Sequence, residues 1–279
     1  MSASSGSYYL PTPSPWPVIT SAGLFTLALG FVLFMNNLGA GPWLMLAGAA
    51  TIIYMMFRWF GQVIGESESG AYNRQVDLSF RWGMSWFIFS EVMFFAAFFG
   101  ALFYARQITL PLLGETELLW PAFDGVWPSS GPKGNPFTPM AAWGIPAINT
   151  LILLTSGATV TWAHWGLLKN NRSQLVVGLA LTVALGIAFI TLQAYEYVHA
   201  YMELGLTLKA GIYGATFFML TGFHGFHVTM GTIMLLVILL RSMVGHFKPD
   251  NHFGFEAVAW YWHFVDVVWL GLFIFVYWV

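Results

Sequence analysis

Residues 175–190 read LVVGLALTVALGIAFI, a stretch with no charged side chain, and apolar residues continue to dominate as far as about His199. A transmembrane helix needs about 20 mostly apolar residues, whereas a strand of a membrane barrel needs about ten residues that alternate polar and apolar. No such alternation is present in this stretch. The stretch therefore predicts a helix that spans a membrane.

The composition of the whole chain agrees with this interpretation. Of 279 residues, 58% are hydrophobic and only 8% are charged, whereas an ordinary soluble domain has roughly 25% charged residues. This composition excludes a cytosolic enzyme, a disordered chain and a nucleic-acid-binding protein. The sequence has no cysteine, which excludes disulfides, thiolate metal sites and cysteine nucleophiles. The chain is predicted to be a membrane protein with several spans.

Six more stretches have the length and apolar character of a span, so the predicted fold is an all-α membrane protein with seven transmembrane helices. The first 17 residues contain no Lys or Arg, and no small-residue cleavage pattern follows the first span. We therefore expect no signal peptide, and the first span stays in the mature protein. The predicted spans are Val18–Met35, Trp43–Gln62, Arg81–Ala105, Ala141–Leu168, Leu175–His199, Ala210–Leu240 and Ala257–Val276.

Positive charges are distributed unequally between the two sides of these spans. Seven Lys or Arg residues fall on the side of the N-terminus and three on the other side. The side richer in Lys and Arg is usually cytoplasmic. We therefore expect a cytoplasmic N-terminus and a periplasmic C-terminus, with the long connection 107–140 on the outer face.

Glu91 is the most informative single residue. It lies ten positions after Arg81, about 15 Å along a helix, and therefore near the centre of the bilayer. Phe87, Phe94 and Phe95 are its helical neighbours. An ionised group at that depth is unfavourable, so we expect an uncharged carboxyl. It forms interhelical hydrogen bonds, serves a proton route or regulates a neighbouring protein.

Six further polar residues are predicted to be buried at or near membrane depth. Glu-x-x-His spacing is typical of di-iron bundles, but the chain supplies it only once. We therefore favour interhelical hydrogen bonds that hold the bundle together, with no bound metal and no catalytic residue. The six residues are His224, His227, His263, Asp266, Glu196 and His199.

A set of aromatic and charged residues lies at the predicted cytoplasmic ends of the helices: Trp59, Glu66, Arg81 and Arg241. Rims of this kind bind phospholipid phosphates. They also arise when long side chains extend from a span toward the headgroups. Both interpretations remain open from the residues alone.

Several strings resemble a known family. They are RWGMSWFIFSEVMFF at 81–95, TWAH at 161–164, TLQAYEY at 191–197, TGFHGFHV at 221–228 and HFGFEAVAWYWHFVDVVWL at 252–270. They are similar to subunit III of the haem–copper cytochrome c oxidases, and the resemblance runs from about Trp43 to the C-terminus.

The resemblance implies a fold in which a lipid-filled cleft splays the first two helices from the other five. Residues 1–62 would then form the N-terminal segment with two helices, and residues 81–279 the five-helix bundle with the outer loop 107–140. It also implies that Glu91 corresponds to the family's buried, carbodiimide-reactive glutamate, and that Trp59, Glu66 and Arg241 contact lipid.

The function implied is that of a non-redox core subunit of a proton-pumping terminal oxidase, in which cytochrome c is oxidised and dioxygen is reduced to water. Such a subunit contacts subunit I directly, with subunit II and small subunits nearby, and supports proton uptake and the stability of subunit I. This chain would bind phospholipids, while haem and copper would reside in partner subunits, and no nucleic acid would be involved.

Two alternatives remain. Quinol oxidases of the same superfamily carry a similar subunit, so the electron donor is not encoded here. A free-standing carrier or a metal-dependent membrane enzyme would instead use the buried histidines and carboxylates. The expected location is the plasma membrane of a bacterium.

Overall fold

The computed structural model describes residue 9, residues 11–116 and residues 118–278. Within these residues the chain is helical and forms no β-sheet. Pro111 lacks the N–H that an α-helical ladder requires, and a π-helical turn at Ala105–Thr109 precedes it. A second π-helical turn, Phe273–Tyr277, ends the last span. The α-helices are α1 Trp16–Met35, α2 Gly41–Glu68, α3 Arg74–Tyr104, α4 Leu110–Gly114, α5 Ile145–Leu168, α6 Arg172–Met202, α7 Gly211–Val244 and α8 Phe253–Leu272.

The prediction of an all-α membrane protein with seven spans is confirmed. Seven helical segments of the described residues are long and apolar enough to cross a membrane. The third of them, Arg74–Gly114, is composed of α3, the first π-helical turn and α4. The seventh is Phe253–Tyr277.

Two connections are shorter than the sequence predicted. The segment 63–80 was expected to be a connection, but only residues 69–73 separate α2 from α3. The outer connection was expected to begin at Gln107, but helical structure continues to Gly114. Polar side chains end an apolar stretch without ending a helix, because the backbone hydrogen bonds continue as long as the dihedral angles allow.

The chain divides into two compact units, residues 1–80 and residues 81–279, and the boundary falls within α3. In the first unit α1 and α2 form a hairpin in which glycines allow the backbones to approach closely. A Cβ on Gly48 would lie 2.5 Å from the backbone nitrogen of Leu27, and a Cβ on Gly30 would lie 2.5 Å from that of Met45. Small residues of this kind drive helix association in membranes.

The second unit has its core between α5, α6, α7 and α8, with Trp262 and Trp269 fully buried. The indole nitrogen of Trp262 donates to Ser156 at 2.9 Å, and that of Trp269 donates to Thr150 at 2.9 Å. Gly231 accommodates the Trp262 ring, because a Cβ there would lie 2.8 Å from a ring carbon.

Two expectations remain predictions. The N-terminal segment that was expected to contain no signal peptide includes residues 1–8 and residue 10, which lie outside the described residues. The lipid-filled cleft concerns the arrangement of the two units, and it stays a prediction of the family resemblance.

Candidate functional site

A hydrogen-bonded pair of ionisable side chains joins α3 to α7. The Nε2 atom of His227 lies 2.8 Å from the Oε2 atom of Glu91. His227 retains 9% of its side-chain exposure, and Glu91 retains 22%. The two residues were predicted separately, and the structure brings them together. Glu91 is only partly buried.

The pair holds a proton between its two members. The Nδ1 atom of His227 lies 2.6 Å from the carbonyl oxygen of Phe223. A carbonyl only accepts, so Nδ1 carries a proton and donates it. Two lone pairs facing each other across 2.8 Å would repel, so a second proton lies between Nε2 and the carboxyl. Either a carboxylic acid donates to a neutral imidazole, or an imidazolium donates to a carboxylate. Both states have zero net charge, which suits a site at membrane depth.

Aromatic rings enclose the imidazole of His227. The Phe95 ring lies 5.1 Å from it edge-on, and the Tyr261 ring lies parallel to it at 6.3 Å. Phe94 lies 6.1 Å away. Phe87 stacks on Tyr261 at 6.2 Å rather than on the imidazole. The aromatic surroundings predicted for Glu91 are thus built largely around its partner, which restricts the access of water to the pair.

Two other predicted polar residues are fully buried in separate places. The Nε2 atom of His224 lies 3.2 Å from the carbonyl oxygen of Val265. Glu196 has no exposed surface and accepts a hydrogen bond of 2.6 Å from the hydroxyl of Tyr277. The hydrogen bond between Tyr277 and Glu196 joins the last turn of the seventh span to α6.

Two of the residues expected to be buried are not. His263 keeps 47% of its side-chain exposure, although its partner Asp266, whose carboxylate oxygen lies 3.5 Å away, keeps only 9%. Positions three apart on a helix are separated by about 60° around the axis. Asp266 therefore points into the bundle beside Gly157, where a Cβ would lie 2.5 Å from its Oδ2 atom, while His263 lies on the outer side.

His199 is the second exception. Its Nδ1 atom lies 3.1 Å from Glu203, and the two side chains are 34% and 69% exposed. The two residues form an exposed i,i+4 pair at the end of α6. His199 is therefore less buried than the sequence predicted.

The two arginines of the predicted rim lie near the start of α8. Arg81 forms an ion pair with Glu256, and its guanidinium lies 5.1 Å above the ring of Phe253. The guanidinium of Arg241 lies 4.5 Å above the ring of Phe247. Both side chains therefore make contacts within the protein.

Trp59 and Glu66 belong to the first unit. Trp59 is 46% exposed and its ring stacks on Phe60 at 5.7 Å. Glu66 accepts hydrogen bonds from Tyr72 at 2.8 Å and Gln62 at 2.8 Å, and a longer one from Tyr9 at 3.2 Å. Burial and the hydrogen bond to Glu66 raise the pKa of Tyr72 above its ordinary value. The position of Glu66 is thus determined by tyrosines, which the sequence did not reveal.

The predicted polar residues do not meet in one centre. Within the described part of the chain, the three carboxyl groups predicted at membrane depth pair separately: Glu91 with His227, Asp266 with His263, and Glu196 with Tyr277. Sequence reasoning missed Tyr277, and the only signal for it was an aromatic hydroxyl in an otherwise apolar last turn.

Comparison with known proteins identifies relatives along almost the whole chain. The family described as cytochrome c oxidase subunit III matches residues 6–279. A protein of Marchantia polymorpha named cytochrome c oxidase subunit 3 is 45% identical over 272 residues, which cover 97% of this chain and 96% of the relative. Proteins of the same name from Drosophila melanogaster and Papio hamadryas are 45% and 41% identical over 273 residues, again with at least 96% of each chain covered.

Proposed function

Because the chain belongs to the cytochrome c oxidase subunit III family, we propose that it supports proton uptake by subunit I, where dioxygen is reduced. We also propose that it increases the number of turnovers that subunit I completes before it is inactivated. As a member of this family the chain is a multi-pass membrane subunit of a terminal oxidase. It is part of an oxidoreductase complex and has no catalytic centre of its own.

The observation that carries the proposal is the Glu91–His227 pair. It holds one proton in a neutral arrangement, and 22% of the Glu91 side chain remains accessible in the isolated chain. We propose that a span of a partner subunit packs over the accessible part of this polar, proton-bearing group. Ionisable groups at membrane depth commonly mark proton routes, and this one would support a route in the neighbouring subunit through hydrogen bonds.

The remaining parts of the proposal concern the surroundings of the chain. We propose direct contact with subunit I, with subunit II and small subunits nearby, and haem and copper held by partner subunits. Phospholipids would bind at the arginines near the start of α8 and at Trp59. The excess of Lys and Arg on one side supports a cytoplasmic N-terminus. Location in a bacterium stays a prediction, because the relatives named above are eukaryotic.

The names of the relatives support cytochrome c as the electron donor. Nothing in the described residues favours quinol. A free-standing carrier would be purified from detergent extracts alone, whereas an oxidase subunit should co-purify with a haem-bearing partner. An optical spectrum of the purified material distinguishes the two.

The test of the proposal is a Glu91→Gln variant of the intact oxidase. The amide keeps the volume and the hydrogen bonding of the side chain but gives up the exchangeable carboxyl proton. We expect an initial rate close to that of the wild type and fewer turnovers before activity is lost, measured as oxygen consumption over time.

Glu203→Gln is the matched control, because Glu203 is 69% exposed and pairs with the partly exposed His199. This variant should survive as many turnovers as the wild type. If Glu91→Gln assembles and is equally durable, the carboxyl is a structural group and the proposal for it is wrong.

A further inference from the structure

A second cluster of ionisable side chains lies where the end of α5 meets the start of α8. It consists of His164, His252 and Glu256, and one ligand atom of each lies within 4.8 Å of the others. We propose that these three residues bind a divalent transition-metal ion, with Zn²⁺ the best match. No residue of the Glu91–His227 pair takes part.

His252 is oriented for this role. Its Nδ1 atom lies 3.1 Å from the carbonyl oxygen of Lys248, so Nδ1 carries the proton and Nε2 is left with a lone pair. Histidines that bind metals are typically held in this way, by a carbonyl or carboxylate on the other nitrogen. The structure therefore presents Nε2 of His252 as a ligand atom.

The distance between His252 and Glu256 suits two ligands of one metal ion. Nε2 of His252 lies 3.0 Å from Oε1 of Glu256, and this buried nitrogen makes no hydrogen bond. Two ligands of a tetrahedral zinc at about 2.0–2.1 Å lie roughly 3.3 Å apart. The observed separation of 3.0 Å is close to that value.

Glu256 is held in place by a separate interaction. Arg81 forms its ion pair with Oε2, which leaves Oε1 facing the two imidazoles. The guanidinium fixes the plane of the carboxylate, as the partners of metal-binding carboxylates commonly do. Its positive charge also weakens the attraction of the site for a cation, so a single carboxylate with two neutral imidazoles makes an exchangeable site rather than a permanent one.

His164 completes the set from a different helix. It lies one turn before the end of α5, and its Nε2 atom is buried without a hydrogen-bond partner. Its ring packs against Phe255 at 5.1 Å and against the ring of His252 at 5.5 Å. A bound metal would therefore join the end of α5 to the first turn of α8.

The chemistry of the ligands selects the metal. Imidazole nitrogens suit Zn²⁺, Cu²⁺ and Ni²⁺, whereas Mg²⁺ and Ca²⁺ require oxygen ligands. Two histidines and one glutamate are a common zinc set that leaves the fourth position for water. Only small side-chain rotations are needed, because the three ligand atoms already lie within 4.8 Å of one another.

The test uses the full chain purified with the subunits that accompany it. The wild type and variants are stripped with a chelator, equilibrated with a limited concentration of ZnCl₂ and dialysed, and zinc is then measured by mass spectrometry. His252→Asn and His164→Asn should each bind one zinc fewer per chain than the wild type. His199→Asn is the matched control and should lose none, because His199 pairs with Glu203. Equal zinc contents in all the variants would overturn the proposal.

A measurement on the wild type alone keeps the test decisive if the variants fail to assemble. Crystals of the wild-type complex soaked in ZnCl₂ should show an anomalous scattering peak between the three residues at the zinc edge. The absence of a peak there would overturn the proposal, whatever zinc binds to the partner subunits.

Discussion

The hydrogen bond between Tyr277 and Glu196 offers a sharp test of how a buried polar contact stabilises this bundle. A Tyr277→Phe variant removes only the hydroxyl that donates to Glu196 at 2.6 Å. The ring and its contacts stay, including those to Phe217 at 5.5 Å and Trp269 at 5.7 Å. The change therefore isolates one hydrogen bond from the packing around it.

The expected loss follows from the burial of both partners. Leaving a buried acceptor without its donor costs about 1–3 kcal/mol in soluble proteins, whereas interhelical hydrogen bonds in a membrane protein average about 0.6 and reach about 1.7 kcal/mol. Glu196 has no exposed surface and Tyr277 is 2% exposed, so neither water nor a lipid headgroup replaces the hydroxyl. We therefore expect a value near the upper membrane limit, about 1.5 kcal/mol, which is roughly a tenfold change in the unfolding equilibrium constant.

The assay is the unfolding of the full chain in mixed micelles by added dodecyl sulfate, followed by tryptophan fluorescence. Tyr195→Phe is the matched control, because Tyr195 is 61% exposed, and it should change the free energy of unfolding by less than about 0.5 kcal/mol. Replacing both partners, Glu196→Leu with Tyr277→Phe, should recover part of the loss, because no acceptor is then left unpaired. If Tyr277→Phe is as stable as Tyr195→Phe, the contact does not stabilise α6 against the last turn and the reasoning fails.

Two more predictions concern other contacts. Gly48→Ala should loosen the hairpin of α1 and α2 by about 1–3 kcal/mol, because the new Cβ meets backbone at 2.5 Å. Gly61→Ala, with nothing within 4 Å, should be neutral or slightly stabilising; equal effects in the same unfolding assay would contradict this. In a double-mutant cycle, Glu91→Leu and His227→Phe should be non-additive by about 0.6–1.7 kcal/mol. Additivity within about 0.3 kcal/mol would mean that the pair does not stabilise the bundle.

The seven spans could be predicted from the sequence because insertion of a helix into a bilayer depends on a sum over about 20 neighbouring residues. Leu175–His199 shows this, since the predicted span lies within the helix Arg172–Met202. The ends of the helices were less predictable. Except at 69–73, the residues after Gln62 and before Arg81 remain helical, because hydropathy reports where the hydrocarbon ends and the backbone continues its hydrogen bonds beyond that level.

That Glu91 would form a pair or serve a function could also be predicted, because a carboxyl at the centre of an apolar helix is costly otherwise. The partner of Glu91 could not be predicted, because His227 lies 136 positions away in the chain. The same holds for Tyr277 as the donor to Glu196, and for His164 beside His252 and Glu256. For His263 the prediction of burial was wrong. The sequence shows its spacing from Asp266 but does not show that its side chain points outward.

The sequence by itself thus determined which segments enter the bilayer, since that free energy is local and adds along the chain. Only the tertiary structure decided which polar side chains meet. That outcome depends on the rotation and tilt of each helix about its axis, and these are set by the packing of Trp262, Trp269 and the facing glycines across helices that are distant in the chain.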